Sequence, residues 1–476
     1  MPLSPNFRPS VSHASLGGAF YDEVAAAEFP KHILRFRNCR AAASVGLDTL
    51  TDAEWIEHFG RFSPLPGSFE TPLALRYHGH QFRTYNPELG DGRGFLFAQV
   101  HELGGGRLLD LGTKGSGLTP WSRTADGRLT LKGGVREILA TEMLEALGVD
   151  TSRTLSLVET GEALMRGDEP SPTRSGVLVR LSHSHIRIGS FQRLLYLDET
   201  DNIARLLDYT VRTYMPDVWR DDIASRAVAF LEEVSARVAA TCAAWMLAGF
   251  VHGVLNTDNI NVTGESFDYG PWRFLPVLDP TFTAAYFDDT GLYAYGRQPD
   301  TLLWNLTRLA ECLLPFAGQA ELETVLRGFE SKFQNAFNAA MLRRLGLRPA
   351  GEAEDTALVR AVWKFMLESK APFEQVFFDW YGGLASETRA ADSAQALHYA
   401  SPAFAPAHAA FAAHEAEPGI RLDHAYFAKK MPCTMLIDQV EDIWTPIAEA
   451  DDWSRFHSRL VEIAEMREAY AVKPAG

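Results

Sequence analysis

The segment that most constrains the fold of this chain is HGVLNTDN, residues His252–Asn259, called here the His-Gly loop. The tripeptide Asp268-Tyr269-Gly270 follows it. Amide and carboxylate oxygens are the ligands that Mg²⁺ prefers beside nucleotide phosphates. Because Asn259 and Asp268 stand in the order and at the spacing of such a ligand pair, they predict a magnesium-nucleotide site.

The His-Gly loop has the spacing of a protein-kinase catalytic loop with one replacement. In kinases the metal-binding Asn follows the catalytic Asp by five residues, and a later Asp-Phe-Gly supplies another metal ligand. Five residues before Asn259 this chain has Val254, whose isopropyl group cannot accept a proton. We therefore expect either a silent nucleotide binder or an enzyme that transfers a different part of ATP.

Short strand-like runs separated by glycine turns characterise the first half of the chain. Residues Phe95–Val100 and Arg107–Gly112 flank Gly104-Gly105-Gly106 and predict a β-hairpin. Apolar residues then recur at helical spacing from about Gly134 to Leu147, and Gly148 is expected to end this helix.

After about residue 200 the sequence is typical of amphipathic helices. One long helix carries apolar residues at three- and four-residue steps from Phe230 to Trp245 and leads into the His-Gly loop. Residues 385–415, rich in Ala, Ser and His, predict a loop or irregular helix. The whole pattern predicts an α+β, protein kinase-like two-lobed fold, with a strand-rich N-terminal lobe (1–200) and a helical C-terminal lobe (201–476).

Three features of the first half could bind a nucleotide. The loop Gly90-Asp91-Gly92-Arg93 offers backbone N–H groups and a cation for phosphates, although a plain hairpin turn would also explain it. Lys114 follows the next predicted strand, and Glu137 lies near the start of the following helix, as in the Lys–Glu pair of kinase-type sites. Taken singly, Lys114 and Glu137 would each be interpreted as a solvated surface charge.

Further polar residues have both a functional and a structural interpretation. Asp126-Gly127 is a turn or a second loop over the nucleotide. Arg180 and Arg187 could clamp a phosphate bidentately, whereas a single strand arginine would ordinarily be a surface ion-pair partner. Asp258 is the one remaining carboxylate of the His-Gly loop, so it is either a general base or a brace of the loop.

The composition limits the classes of partner and compartment. The 61 acidic and 45 basic residues give a net charge of −16, which argues against binding a nucleic-acid polymer. Four scattered cysteines without a C-x-x-C motif argue against a zinc site or a disulfide scaffold. With no signal-like start and no long apolar run, we expect a cytoplasmic protein without a membrane span.

Taken together in chain order, these motifs closely resemble the selenoprotein O family of pseudokinase-fold protein adenylyltransferases. The resemblance covers about residues 15–315, and its most specific part is the His-Gly loop. The matching segments are Tyr77–Phe82, Asn86–Arg93, Lys114–Pro120, Val135–Glu137, Ser184–Arg187, His252–Asn259, Asp268–Pro271, Gln298–Pro299 and Trp304–Leu306.

The resemblance implies transfer of AMP from ATP to Ser, Thr or Tyr hydroxyls of protein substrates, with release of pyrophosphate. ATP would be flipped relative to its orientation in kinases. The residues implied to contact the nucleotide are Gly90, Gly92, Arg93, Lys114, Asp126, Gly127, Arg180, Arg187 and Asp268, with Glu137 holding Lys114. Asn259 and Asp268 would bind Mg²⁺, or Mn²⁺ as an alternative, and Asp258 would accept the proton.

The chain departs from the family pattern in its cysteines. Many relatives have a cysteine or selenocysteine close to the C-terminus, but this chain ends in Tyr-Ala-Val-Lys-Pro-Ala-Gly. Relatives also tend to have a cysteine after the position of Asp279, where this chain reads Pro280–Ala285 without one. We therefore expect no regulatory disulfide between tail and core.

Two other functions remain open from the sequence. An atypical kinase would transfer the γ-phosphate, but the replacement at Val254 counts against it. A silent ATP-binding scaffold would not need both metal ligands and the Lys–Glu pair. Neither the protein substrates nor the oligomeric state follows from the residues.

Overall fold

The computed structural model describes residues 3–167 and 169–470, which form 13 strands and 16 α-helices. The strands are β1 (Pro9–Ser10), β2 (Tyr21–Glu23), β3 (Ile33–Arg37), β4 (Leu73–Leu75), β5 (Gly79–Gln81), β6 (Thr84–Asn86), β7 (Leu96–His101), β8 (Leu108–Lys114), β9 (Leu129–Thr130), β10 (Arg153–Leu164), β11 (Thr173–Ser182), β12 (Phe250–Val251) and β13 (Arg273–Phe274). The helices are α1 (Cys39–Ser44), α2 (Asp52–Phe59), α3 (Leu131–Ala146), α4 (Ile188–Tyr196), α5 (Thr200–Tyr214), α6 (Ile223–Leu247), α7 (Gln298–Leu313), α8 (Gln319–Arg327), α9 (Phe329–Arg344), α10 (Glu352–Ser369), α11 (Phe373–Asp379), α12 (Glu387–Ala391), α13 (Ala396–Tyr399), α14 (Ala405–Phe411), α15 (Ile437–Ala450) and α16 (Ser454–Tyr470). The cysteine-free tail after Tyr470 lies outside the described residues.

The strands of the first half form one antiparallel sheet in the order β2-β4-β7-β8-β11-β10-β3, with β1 added to β7 and β9 added to β11. The predicted hairpin is confirmed as β7 and β8, which pair from Leu96 with Gly112 to His101 with Leu108. Strands β8 and β11 are neighbours, and Arg180 lies opposite Gly112 in their register. The sheet thus brings the end of β8 and the middle of β11 side by side.

Helix α3 packs across the sheet and begins earlier than the sequence predicts. Thr130 caps it by accepting a hydrogen bond from Gly133 N at 3.1 Å, so the helix begins at Leu131 rather than at Gly134. A Cβ on Gly134 would lie 2.5 Å from Leu157 Cδ1 of β10, and this glycine therefore allows a close approach of helix and sheet. That approach carries Glu137 over the sheet.

The second half of the chain is helical around one large apolar core. The predicted long helix is α6, whose Phe230, Val234 and Cys242 are buried in that core. Strand β12 connects α6 to the His-Gly loop. The segment 385–415 forms the short helices α12, α13 and α14, in keeping with the expected irregular helix.

The strand-rich first half and the helical second half confirm the predicted α+β fold of the protein-kinase type. The division into two lobes at residue 200 stays a prediction. The last two helices, α15 and α16, contact the strand-rich first half although they belong to the second half of the sequence. Arg174 Nη2 of β11 lies 2.7 Å from Asp451 Oδ1, just after α15, and Arg467 of α16 pairs with Glu142 of α3.

None of the helices formed by residues 3–167 and 169–470 has the length and apolar content that a membrane span requires.

Candidate functional site

A buried ion cluster joins three elements that are far apart in the sequence. Lys114, the last residue of β8, places its Nζ 2.7 Å from Glu137 Oε2 of α3 and 3.0 Å from Asp268 Oδ1. The side chains of Lys114 and Glu137 are 7% and 1% exposed, so neither is a solvated surface charge. The Asp268 side chain is 25% exposed and is therefore the member of the cluster that solvent or a ligand can reach.

Two arginines complete this cluster around Asp268. Arg180 Nη1 of β11 lies 3.4 Å from Asp268 Oδ1, and Arg187 Nη1, just before α4, lies 3.7 Å from Asp268 Oδ2. Burial alone would raise the pKa of the Asp268 carboxyl, but Lys114 and the two arginines hold it well below its usual range. Three cations thus converge on the Asp268 carboxylate, while Glu137 pairs with Lys114 and Arg180, and Asp91 pairs with Arg187.

A buried hydrogen-bond chain fixes the orientation of Arg180. Its Nε donates to His185 Nε2 at 3.2 Å, and His185 Nδ1 lies 3.2 Å from Asp110 Oδ2. Gln99 Nε2 donates to the other oxygen of Asp110 at 2.7 Å. Because the Arg180 N–H is always a donor, the His185 ring must be neutral with its proton on Nδ1. Burial also lowers the pKa of His185, which supports the neutral form.

The His-Gly loop is held by bonds to its neighbours on both sides. His252 Nε2 lies 3.0 Å from the carbonyl oxygen of Phe267, next to Asp268. Thr257 Oγ1 accepts a hydrogen bond from His80 N at 2.7 Å and donates to Gln192 Oε1 at 2.5 Å. These bonds hold the short 3₁₀ helix Thr257–Asn259 in a fixed place beside the ion cluster.

Asn259 presents an oxygen suited to a metal ion. Its Nδ2 donates to the carbonyl oxygen of Val254 at 3.0 Å, which orients the amide and leaves Oδ1 without a partner among the described residues. The residue that replaces the kinase base therefore positions Asn259 through its backbone. No group of three or more His, Cys, Asp or Glu side chains suited to a metal occurs in residues 3–167 and 169–470. The two oxygen ligands proposed here, from Asn259 and Asp268, fit Mg²⁺, because this ion keeps several waters and also binds substrate phosphates.

Asp258 is a buried carboxylate with an unused oxygen. Its Oδ1 has no hydrogen-bond partner in the part of the chain that the structure describes. Burial raises the pKa of Asp258 to about 7, and the charge of Arg187 opposes the rise. A Cβ on Gly79 would lie 2.8 Å from Asp258 Oδ1, so the β5 backbone approaches this carboxylate closely. A side chain bracing the loop would be expected to use both oxygens, and this one does not.

The loop around Gly90 and Gly92 is anchored rather than open. A Cβ on Gly90 would lie 2.3 Å from Trp121 Cγ, and one on Gly92 would lie 2.9 Å from the Trp121 carbonyl oxygen. Asp91 Oδ1, between them, lies 3.4 Å from Arg187 Nη2 and links this loop to the ion cluster. The glycines are thus explained by packing against Trp121, and a contact with nucleotide stays a prediction.

Arg93, Asp126 and Gly127 lie around the turn that follows Lys114. The carbonyl oxygen of Arg93 accepts a hydrogen bond from Gly115 N at 2.6 Å. The side chain of Arg93 is exposed. Gly127 has a φ of +68° and its carbonyl accepts from Gly117 N at 3.2 Å. The Asp126 carboxylate pairs with Arg166 Nη1 at 2.8 Å and makes no direct contact with the buried cluster.

Sequence reasoning missed Asp91, which pairs with Arg187, and Asp110, which holds Arg180 through His185. A signal for Asp110 was present, because a carboxylate in the apolar run of β8 requires a buried partner. The partner itself could not be predicted, since His185 lies 75 residues further along the chain. The structure shows that the partners of His185 are Asp110 and Arg180.

Comparison with known proteins identifies the family of this chain. A family model described as protein adenylyltransferase SelO matches residues 3–464. The chain belongs to the SelO family of protein adenylyltransferases. The resemblance inferred from the motifs is thereby confirmed, and it extends beyond residue 315 to nearly the whole chain.

Curated relatives that match most of the chain are named as protein nucleotidyltransferases. The chain is 42% identical over 474 residues to a protein nucleotidyltransferase YdiU of Trichodesmium erythraeum, covering 97% of this chain and 98% of the relative. It is 45% identical over 474 residues to the YdiU of Gloeobacter violaceus, covering 96% and 95%. A Synechocystis YdiU is 51% identical over 348 residues, or 72% of each chain. This SelO-family chain is therefore an enzyme of the nucleotidyltransferase class.

Proposed function

We propose that this enzyme transfers AMP from ATP to Ser, Thr or Tyr hydroxyls of proteins and releases pyrophosphate. The observation that carries the proposal is the convergence of Lys114, Arg180 and Arg187 on the partly exposed carboxylate of Asp268. Phosphoryl-type transfer needs positioning and charge neutralisation more than a strong base. Three cationic side chains gathered at one place suit the phosphates of ATP.

Each site residue has a proposed role in this reaction. Arg180 and Arg187 bind the terminal phosphates, and Lys114, held by Glu137, binds the phosphate next to them. The backbone around Gly90, Gly92 and Gly127 and the side chains of Arg93 and Asp126 would border the rest of the nucleotide. Asn259 and Asp268 would hold Mg²⁺, or alternatively Mn²⁺, which neutralises phosphate charge when bound.

In the proposed step the acceptor oxygen forms a bond to the α-phosphorus while the bond from that phosphorus to the bridging oxygen breaks. The hydroxyl proton goes to Asp258, and the terminal phosphates leave as pyrophosphate. Val254 stands where a kinase has its base, and Asp258 lies next to Asn259. The flipped ATP, with its α-phosphate toward the acceptor, is what the resemblance to the SelO family implies, and the changed position of the carboxylate is in keeping with it.

ATP labelled at either the α- or the γ-phosphate tests this function directly. With a mixture of unfolded and folded acceptor proteins, we expect protein-bound label from α-labelled ATP and none from γ-labelled ATP. Lys114→Ala should abolish the labelling, because it removes a buried cation from the triphosphate site. Label from the γ-position alone would establish the kinase alternative, and tight ATP binding without any label would establish the silent scaffold.

Asp110→Asn tests whether the orientation of Arg180 matters. The new amide would present N–H to one of two donors, Gln99 Nε2 or His185 Nδ1. If the amide N–H faces His185, the ring takes the Nε2–H tautomer and points a proton at Arg180 Nε. We expect kcat to fall by about 10- to 100-fold, with the tautomer change visible by ¹⁵N NMR.

His183→Gln is the matched control for Asp110→Asn, because His183 is a buried neighbour whose ring does not bond Arg180. It should leave kcat within about two-fold of wild type, in the range of an independent site. A tautomer switch in Asp110→Asn without any loss of kcat would contradict the orienting role.

We also propose that the two lobes divide at residue 200 and that the protein is cytoplasmic. All four cysteines are free, and Cys242, Cys312 and Cys433 are buried, which suits a reducing compartment.

A further inference from the structure

The hairpin of β5 and β6 has an unusual turn. Its two turn residues, Phe82 and Arg83, have φ angles of +50° and +63°. Two-residue turns of this hand strongly favour Asn-Gly, because bulky residues are strained at positive φ. Strain of this kind persists mainly at functional sites, where the surrounding structure maintains it. A large aromatic and a cation at this tip therefore need a reason other than folding.

The tip of this hairpin lies directly against the His-Gly loop. Phe82 N lies 3.1 Å from both Asn256 Oδ1 and the hydroxyl of Tyr293. That hydroxyl in turn donates to Asn256 Oδ1 at 2.6 Å. Asn256 is two residues before Asp258, so the hairpin tip is fixed next to the proposed proton acceptor.

A second segment brings exposed aromatic rings to the same place. A Cβ on Gly253 of the His-Gly loop would lie 2.9 Å from Ala284 Cβ, so the chain near Ala284 packs on that loop. The residues that follow, Tyr286 and Phe287, are 81% and 46% exposed, and Phe82 is 37% exposed. The rings of Phe82 and Phe287 are 5.9 Å apart, and those of Tyr286 and Phe287 are 5.1 Å apart. These three residues form a continuous surface, called here the aromatic ledge.

Arg83 adds a charge at the edge of the ledge. Its guanidinium lies 5.5 Å from the centre of the Trp304 ring, and no carboxylate pairs with it among residues 3–167 and 169–470. In a chain with a net charge of −16, an exposed unpaired cation beside the ledge favours an acidic group on whatever binds there.

We propose that the aromatic ledge binds the acceptor protein through an extended segment that has an apolar side chain close to the modified hydroxyl and a carboxylate beside it. The proposal rests on the proposed transfer to protein hydroxyls. A hydroxyl that reaches Asp258 brings its flanking residues onto the surfaces that border the His-Gly loop, and the ledge is an exposed apolar surface fixed to that loop from two sides. The apolar side chain packs on Phe82, Tyr286 and Phe287, and the carboxylate pairs with Arg83.

Synthetic peptides test the recognition. Each peptide contains one Ser in a Gly/Ala background, with Leu, Phe, Asp or Lys placed in turn at the flanking positions. Wild type should label the Leu and Phe peptides about 10-fold faster than the Gly/Ala peptide. In the double variant Tyr286→Ser with Phe287→Ser this advantage should disappear, while labelling of the Gly/Ala peptide stays unchanged. Leu397→Ser, which replaces a residue that is 87% exposed on α13, is the matched control and should keep the advantage.

Arg83→Glu tests the charge by reversal. Wild type should prefer Asp over Lys next to the hydroxyl, and Arg83→Glu should prefer Lys over Asp. A variant that only damages the fold would slow all peptides together and could not reverse a preference.

The ratios between peptides can be measured with α- or γ-labelled ATP, so failure of the ledge and failure of the proposed AMP transfer are distinguishable. Equal rates for apolar and Gly/Ala peptides with wild type would overturn the proposal, as would an advantage that survives in the double variant. Sedimentation showing a dimer that dissociates in the double variant would also overturn it, because the ledge would then bind a second copy of this chain.

Discussion

Asp268→Ala is expected to reduce AMP transfer by about 10³-fold or more. Among residues 3–167 and 169–470, Asp268 is the one carboxylate that contacts Lys114, Arg180 and Arg187 together, and in the proposed site it also binds the metal. Calorimetry should show that the affinity for ATP no longer depends on Mg²⁺. The affinity for ATP without metal should be at least that of wild type, because Asp268 otherwise competes with the phosphates for the three cations.

Two further variants separate the metal role from folding. Asn259→Ala should cause a loss of similar size, because its Oδ1 is the other proposed ligand, and it leaves the ion cluster intact. Asp268→Asn keeps the size of the side chain but not its charge, and it should also lose the Mg²⁺ dependence. Undiminished Mg-ATP affinity in a variant with both Asn259→Ala and Asp268→Ala would show that these residues do not hold the metal.

The fold and the centre of the site could be predicted because each is set by local patterns. Glycine turns between strand-like runs indicate hairpins, and a helical repeat from Phe230 to Trp245 indicates α6. Lys114 at the end of a strand and Glu137 on the next helix could be paired because α3 must cross the sheet to bury its apolar side. Such inferences need only the order of the elements.

The supports of the two arginines could not be predicted because they depend on the register between strands. Asp110 meets His185 only because β8 and β11 pair with Ser182 opposite Asp110. A shift by one residue would turn Asp110 to the other side of the sheet. Likewise, the packing of the glycines at 90 and 92 against Trp121 depends on a distant turn, while their contact with phosphates stays a prediction. Contacts of this kind follow from tertiary structure alone.

Asp258→Asn is expected to slow AMP transfer by about 10²-fold or more, because the amide cannot accept the acceptor proton. Asp217→Asn, which changes an exposed carboxylate before α6, is the control and should leave the rate unchanged. Steady-state rates with saturating Mg-ATP measure both. A loss in Asp258→Asn smaller than about three-fold would be too small for a general base, and positioning alone would then carry the reaction.

The pH dependence of the stability of the metal-free protein distinguishes two roles of Asp258, a general base and a side chain that stabilises the His-Gly loop. The pKa of Asp258 in the folded protein is about 7, above its ordinary value of 3.8, so the folded state binds the proton more tightly than the unfolded chain does. Its contribution to the free energy of unfolding therefore falls as the pH rises from about 4 to about 7, and it stays constant above. Asp258→Asn removes this cost, and its thermal midpoint relative to wild type should rise over the same range when metal is chelated. A carboxylate that braces the loop would give the opposite result, with Asp258→Asn less stable than wild type above pH 7.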